Sequence, residues 1–159
     1  MTWQSREREI RGEIMRTDIY VKVFSETHPL SQMEADIDRA FSLFREFESR
    51  LSRFRSGSDL AVLNASSECH VSTELFEILL HSKQYFEETN GVFDPTILSA
   101  LVREGYGVSF GSSGFGRPRE EIVPYQGTFA DVYLDSETQT VTKPLECHID
   151  LGGIGKGYI

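Results

Sequence analysis

The last residues of the chain hold the side chains best suited to chemistry. Asp150 is followed by four glycines and one lysine, in the order Leu151-Gly152-Gly153-Ile154-Gly155-Lys156-Gly157. A strand that ends in a glycine-rich turn brings backbone N–H groups close to a phosphate, and an adjacent acid can hold a metal ion. The sequence therefore predicts that this stretch is a phosphate or metal site, or half of one.

Two common nucleotide motifs are excluded. The Gly155-Lys156 pair is not part of a P-loop, because Asp150 stands where the first glycine belongs and Gly157 stands where Ser or Thr binds magnesium. The glycine run at residues 111–116 is not a dinucleotide fingerprint, because no strong strand precedes it and Pro118 interrupts the expected helix. Nucleoside triphosphate hydrolysis and Rossmann-type binding are therefore not predicted.

Two earlier segments could serve such a site. Residues 51–60 form a polar turn with two arginines, three serines and a glycine, which can hold a phosphate or simply cap helices. Asp94 precedes Pro95, so it can cap a helix through about Leu101 or bind a ligand in the adjoining cleft. Both alternatives stay open for both segments.

Composition and charge limit the function further. The chain has 159 residues, a net charge of -9 and a pI near 4.9, which argues against binding of nucleic acid or of an anionic membrane. It contains no run of about 18 apolar residues and its first residues are polar, so we expect no membrane segment and a cytoplasmic protein. Two distant cysteines and four unpaired histidines predict neither a disulfide framework nor a zinc cluster.

The pattern of apolar residues predicts an α+β fold. Residues 1–11 are expected to be a flexible arm or a weak first strand, and residues 12–159 a single domain. A capping box at Ser31 and Glu34 predicts a long amphipathic helix to Leu51. The other predicted elements are a strand at 13–24, helices at 58–64 and 72–90, a mobile loop at 105–116, a hairpin of strands 129–134 and 138–142, and a strand at 146–150.

Three segments together resemble a known family. They are Leu51-Ser52-Arg53-Phe54 with Ser58-Asp59-Leu60 and Leu63-Asn64, then Thr89-Asn90-Gly91-Val92-Phe93-Asp94-Pro95-Thr96, then residues 150–158. In this order they are similar to the motifs of the ApbE family, the FAD:protein FMN transferases. The resemblance implies a T-fold-related, mixed or antiparallel sheet with packed helices. It also implies magnesium-dependent cleavage of FAD and transfer of FMN to a threonine or serine of a target protein, although some members only hydrolyse FAD.

The resemblance also implies roles for single residues. Gly153 matches the position that gives magnesium a backbone oxygen, and no catalytic residue is implied. In Met15-Arg16-Thr17 the arginine stands where the family has glycine, and Phe54 stands where the family often has tyrosine. The residues that match positions lining the FAD site are Met15, Phe54, Val92, Phe93, Asp94, Asp150 and Lys156.

The family pattern continues well beyond the glycine motif, with further acidic magnesium ligands and much of the core. We therefore expect this chain to be the N-terminal portion of such an enzyme, with an incomplete sheet and no FMN transfer by itself. Family members are often exported or anchored to membranes, whereas the residues of this chain lead us to expect a cytoplasmic protein. The alternatives are a protein that binds FAD without cleaving it, an FAD pyrophosphatase, and an inactive truncated fragment.

Overall fold

The computed structural model describes the backbone of residues 5–14, 17–25 and 27–158, and the side chains of residues 18–25 and 27–158. The chain divides into two compact units, Met1–Ser49 and Arg50–Ile159. The helices and strands are β1 (Ser5–Ile14), β2 (Thr17–Phe24), α1 (Leu30–Leu51), α2 (Asp59–Asn64), β3 (Glu68–His70), α3 (Thr73–Glu88), α4 (Leu98–Leu101), β4 (Tyr133–Asp135), β5 (Thr140–Thr142) and α5 (Gly155–Tyr158).

The first unit contains an antiparallel strand pair and most of α1. Strand β1 pairs with β2, and the register shifts between Ile10 and Ile14. Residues 5–11, part of the segment expected to be a flexible arm or a weak first strand, lie in β1, and the strand predicted at 13–24 corresponds to β2 from Thr17 onward. Ile37 and Phe41, four residues apart on α1, are buried against a row of alternate β2 residues, Ile19, Val21 and Val23.

Helix α1 confirms the long amphipathic helix, with one difference at its start. It begins at Leu30, so Ser31 lies in the first turn and not at the cap position. The carbonyl of Pro29 accepts the N–H groups of Gln32 and Met33, at 3.0 and 3.3 Å. The helix therefore begins directly after Pro29. His28 lies outside it, because a residue that precedes proline is disfavoured in the helical conformation.

Two serine caps begin helices in the second unit. The Ser58 hydroxyl accepts the Ala61 N–H at 3.0 Å, and the Ser72 hydroxyl accepts the Leu75 N–H at 3.4 Å. Both helices were predicted at these positions, because serine oxygens satisfy the free N–H groups of a first turn. Helix α3 ends before Asn90 and Gly91, which have φ values of 52° and 80°.

The second unit has a small antiparallel sheet in the order β3-β5-β4. The predicted hairpin is confirmed, with β4 and β5 joined by residues 136–139. The prediction of a strand from Phe129 is wrong, because Phe129–Asp131 forms a 3₁₀ turn. In that turn the Thr128 hydroxyl accepts the Ala130 N–H, and the Asp131 carboxylate accepts the Thr128 N–H.

Three other predictions are corrected or refined. Residues 146–150 form no strand; the N–H of Asp150 donates to the Pro95 carbonyl, a loop residue, at 2.8 Å. The helix after Pro95 begins only at Leu98, after a turn at 95–97. The glycine-rich segment starts with a π-helical turn, Val102–Tyr106, and its mobility stays a prediction. None of the helices in the described residues could cross a membrane.

Candidate active site

An ion pair joins two of the three sequence motifs. Arg53, in the turn after α1, places Nε 2.6 Å from Oδ2 of Asp150, and both side chains are largely buried, at 15% and 13% exposed. The other carboxylate oxygen of Asp150 accepts the N–H of Gly152 at 2.9 Å. Both oxygens of Asp150 are thus engaged inside the protein, where they fix the first bend of the glycine-rich turn.

Arg53 also contacts two aromatic residues. Its Nη2 donates to the carbonyl of Tyr106 at 2.8 Å, and its guanidinium carbon lies 4.2 Å from the ring centre of Phe54. Burial lowers the pKa of Arg53, and the charge of Asp150 opposes that shift. A buried guanidinium without this carboxylate would be strongly unfavourable, so the two residues depend on each other.

The second motif is tied to the same point by a backbone hydrogen bond. The N–H of Asp150 donates to the Pro95 carbonyl at 2.8 Å, one residue after Asp94. Oδ1 of Asp94 accepts both the N–H and the hydroxyl of Thr96, at 2.8 and 2.6 Å. Its Oδ2 accepts the N–H of Phe129 at 3.4 Å. Asp94 therefore caps the turn at 95–97, and the other alternative, a ligand contact, stays a prediction.

The glycines of the third motif differ in how much space their surroundings leave for a side chain. A Cβ at Gly152 would lie 2.9 Å from Oδ1 of Asp150, so the hydrogen bond between these residues requires the missing side chain. A Cβ at Gly153 would make an ordinary 3.5 Å contact with the ring of Phe93, and one at Gly157 would meet open space. The packing of the chain does not require glycine at these two exposed positions, which leaves a close approach of a ligand as a reason.

The other predicted cofactor residues lie on the surface or beside it. Val92 is 90% exposed and Phe54 is 49% exposed. Phe93 is half-buried; its ring meets the edge of Tyr85 at 6.0 Å, and its N–H donates to the Thr89 hydroxyl at 2.9 Å. Lys156 is exposed on α5, and Met15 lies outside the described residues.

The contacts connect most of these residues. Asp150 is joined to Phe54 through Arg53 and to Asp94 through Pro95, while Gly153 lies beside Phe93. No contact among the described side chains connects Lys156 or Val92 to this group. The turn at residues 51–60, left open as a phosphate site or a capping turn, does cap α2 and also supplies Arg53 to the site.

Two titratable side chains just before Asp150 are uncharged at neutral pH. Burial raises the pKa of the Cys147 thiol to about 11, so the thiol stays protonated at neutral pH. Burial, with Lys143 nearby, lowers the pKa of His148, so its imidazole is neutral there. A neutral thiol and a neutral imidazole give this segment no charge with which to attract an anion.

The described residues do not make a magnesium site by themselves. No group of three or more His, Cys, Asp or Glu side chains comes together among them. Gly153 offers one backbone oxygen, whereas magnesium takes an octahedron of oxygens, usually with one or two carboxylates. Asp150 is turned toward Arg53 and Gly152.

Sequence reasoning placed Asn64 and Arg53 in the first family motif but gave neither a role in the site. The amide of Asn64, expected to end α2, pairs with both backbone groups of Ile149, the residue before Asp150. The pairing of Arg53 with Asp150 was not predicted. The sequence did contain an indication for Asn64. Its polar side chain follows Leu60 and Leu63 on a buried helix face, and a buried amide needs hydrogen-bond partners.

The chain is similar in sequence to known proteins. The model of the ApbE family matches residues 15–159. An FAD:protein FMN transferase of Treponema pallidum (strain Nichols) is 28% identical over 171 residues, covering 98% of this chain and 44% of that protein. The chain thus spans less than half the length of this relative.

Two solved structures show the same fold. The flavin transferase ApbE from Vibrio cholerae superimposes with a TM-score of 0.75 at 21% identity, over 99% of this chain and 51% of that one. The ApbE protein from Thermotoga maritima gives a TM-score of 0.77 at 23% identity, over 96% and 50%. These likenesses confirm the α+β prediction, and the match of the family model across residues 15–159 establishes that the chain belongs to the ApbE family.

Proposed function

We propose that this chain is the FAD-binding part of an FAD:protein FMN transferase. The observation that carries the proposal is the convergence of the three motifs on Asp150. Its carboxylate pairs with Arg53 of the first motif, and its N–H is bonded to Pro95 of the second. These motifs are far apart in sequence, and the fold brings them together around one largely buried acid. Such convergence is typical of a functional site.

The proposed reaction is a transfer of FMN. The pyrophosphate bond of FAD breaks, the phosphorus of FMN forms an ester bond with a threonine or serine hydroxyl of a target protein, and AMP leaves with the bridging oxygen. The hydroxyl proton passes to solvent. Negative charge on the phosphates must be neutralised for this step, which is why we also propose that the reaction depends on Mg2+.

The residues of this chain bind and orient FAD in this proposal. One face of the Phe54 ring is covered by Arg53, and the ring is half exposed, so it can stack on a flat ring of the dinucleotide. Gly157 has open space beside its backbone for a phosphate. Lys156 supplies an exposed positive charge in the same turn.

The test is a titration of the chain with FAD, FMN and riboflavin, in which binding is measured by flavin fluorescence. If the glycine turn binds the pyrophosphate, FAD binds about tenfold or more tightly than riboflavin, since each charge-assisted contact contributes roughly 1.5–3 kcal/mol. Equal affinity for FAD and riboflavin, or no binding of either, would contradict the proposal.

A second measurement separates transfer from the alternatives. The chain is incubated with FAD, Mg2+ and synthetic peptides that carry Thr, Ser or Ala at one position, and AMP and covalent flavin are both measured. A transferase gives flavin on the Thr and Ser peptides and none on Ala, with AMP in equal amount. Because this chain is expected to bind FAD without transferring FMN by itself, bound FAD without AMP is the expected result. Covalent flavin on the Thr and Ser peptides would contradict that expectation, and AMP without covalent flavin would indicate a pyrophosphatase.

A further inference from the structure

The contacts of Arg53 have a role beyond a simple ion pair, and the following inference rests on the proposed function only for its effect on FAD. Arg53 contacts two acceptors that belong to different segments. Nε faces the carboxylate of Asp150, and Nη2 donates to the carbonyl of Tyr106. Its guanidinium also lies over the ring of Phe54.

The Tyr106 carbonyl is held in place by a closed loop. The N–H of Gly116 donates to the Gly105 carbonyl at 2.9 Å, and that of Arg119 donates to the Arg103 carbonyl at 2.7 Å. These two bonds join the ends of the glycine-rich segment beside Tyr106. The segment therefore presents its carbonyl to Arg53 as a fixed acceptor.

The Asp150 side has the same character. Gly152 bends back so that its N–H reaches Oδ1 of Asp150, while Oδ2 faces Arg53. A carboxylate held at both oxygens sets the direction in which the glycine turn leaves the protein. Because the pair is largely buried, its geometry is little affected by solvent.

We propose that Arg53 is a positioning residue that sets the glycine turn at 150–157 and the loop at 103–119 relative to each other. Arg53 acts through Asp150 on one side and through the Tyr106 carbonyl on the other, and the stacked Phe54 ring keeps its orientation from the same guanidinium.

The planar guanidinium suits this task better than an ammonium. It offers donors in fixed directions, so one side chain can address two acceptors and still stack on a ring. A lysine at position 53 keeps the positive charge but not the planar set of donors in fixed directions. Arg53→Lys should therefore preserve the pairing with Asp150 in part and lose the bond to Tyr106.

The test is amide hydrogen exchange on the chain without FAD, which does not depend on the proposed function. In Arg53→Met, amides in both 150–157 and 103–119 should exchange about tenfold faster, which corresponds to a loss of about 1.4 kcal/mol of local stability, while those of α3 stay unchanged. In Arg53→Lys, protection should return in 150–157 but not in 103–119. Lys83→Met, at an exposed cation of α3 in the same unit, is the control and should leave both segments unchanged.

Unchanged exchange in both segments of Arg53→Met would overturn the proposal, as would a uniform increase throughout the unit, which indicates general destabilisation. Full rescue by lysine in both segments would also overturn it, because charge alone would then be sufficient.

FAD titration of the same variants separates this inference from the proposed function. We expect the double variant Arg53→Met with Asp150→Asn to bind FAD no more weakly than the weaker single variant, because both changes remove one shared contact. Additive losses would instead show that Arg53 and Asp150 act separately, and would contradict a positioning role that Arg53 exerts through Asp150. If the unaltered chain does not bind FAD, the proposed function fails, and the exchange data alone decide the role of Arg53.

Discussion

The side-chain amide of Asn64 makes both backbone hydrogen bonds of Ile149, as a neighbouring strand would. Nδ2 of Asn64 donates to the Ile149 carbonyl at 2.9 Å, and Oδ1 accepts the Ile149 N–H at 2.8 Å. Both residues are buried. A single side chain thus satisfies the donor and the acceptor of a buried residue directly before Asp150, at a place where the backbone has no strand to pair with.

This pairing predicts a large cost for a nearly isosteric change. Asn64→Asp keeps the shape but removes the donor, and it places a carboxylate against the Ile149 carbonyl in a buried position. We expect the free energy of unfolding to fall by about 2–4 kcal/mol, measured as a shift of the urea midpoint. Gln126→Glu, at an exposed amide, is the control and should change it by less than about 0.5 kcal/mol. A similar small effect for Asn64→Asp would show that the pairing contributes little.

Local rules explain why the helices could be predicted. The caps of α2 and α3 depend on serines within three residues of the N–H groups they accept. The buried face of α1 depends on a spacing of four residues, as Met33, Ile37 and Phe41 show. Such signals need only neighbouring residues, so the sequence contains them in full.

The missed features depend on distant partners. Asn64 and Ile149 are 85 residues apart, and residues 146–150 were predicted as a strand because their apolar pattern is the same whether a strand or an amide satisfies their backbone. Strand β3 has only three residues, too few for an alternating pattern to stand out. For the site, the family motifs indicated Asp94 and Asp150, but the contact of Asp150 with Arg53 required the fold.

Gly105 predicts a steric test of the closed loop. It has a φ of 97°, and a Cβ there would lie 2.6 Å from the carbonyl carbon of Gly116 and 2.7 Å from the nitrogen of Arg117. Gly105→Ala should therefore lower the free energy of unfolding by about 2–4 kcal/mol, since both the backbone and the contact are strained. Thermal melting with circular dichroism measures it.

The matched control is Gly57→Ala, because a Cβ at Gly57 meets nothing within 4 Å and its φ lies outside the left-handed region. That change should be neutral or slightly stabilising, by up to about 1 kcal/mol. Equal effects at Gly105 and Gly57 would contradict the close approach of Gly105 to Gly116.

Lys143 predicts a stability that depends on pH. The residue is 3% exposed, and burial lowers its pKa below the ordinary value of 10.5. The unfolded chain therefore binds this proton more tightly than the folded one, so the folded state loses stability as pH falls from 10.5 to the folded pKa, and the full penalty remains below it. Lys143→Met should stabilise the protein by about 1–2 kcal/mol at pH 7.

The gain from Lys143→Met should shrink as the pH is raised through 10.5, because above that pH the lysine is neutral in both states. Urea unfolding at several pH values measures the difference. Lys83→Met, at an exposed lysine of α3, is the control and should show no such dependence. A difference that stays constant over this range would mean that the charge of Lys143 carries no folding penalty.

Lys156 offers the sharpest test of where the phosphates of FAD lie. Its side chain is exposed on α5, so Lys156→Met should leave the melting temperature unchanged while removing one positive charge beside the glycine turn. We expect FAD affinity to fall by about ten- to a hundredfold, the loss of one charge-assisted contact, and the salt dependence of binding to weaken. Riboflavin, which has no phosphate, should bind Lys156→Met and the unaltered chain equally. Lys83→Met should bind both ligands normally. Equal losses for FAD and riboflavin in Lys156→Met would place the lysine against the flavin ring instead of a phosphate.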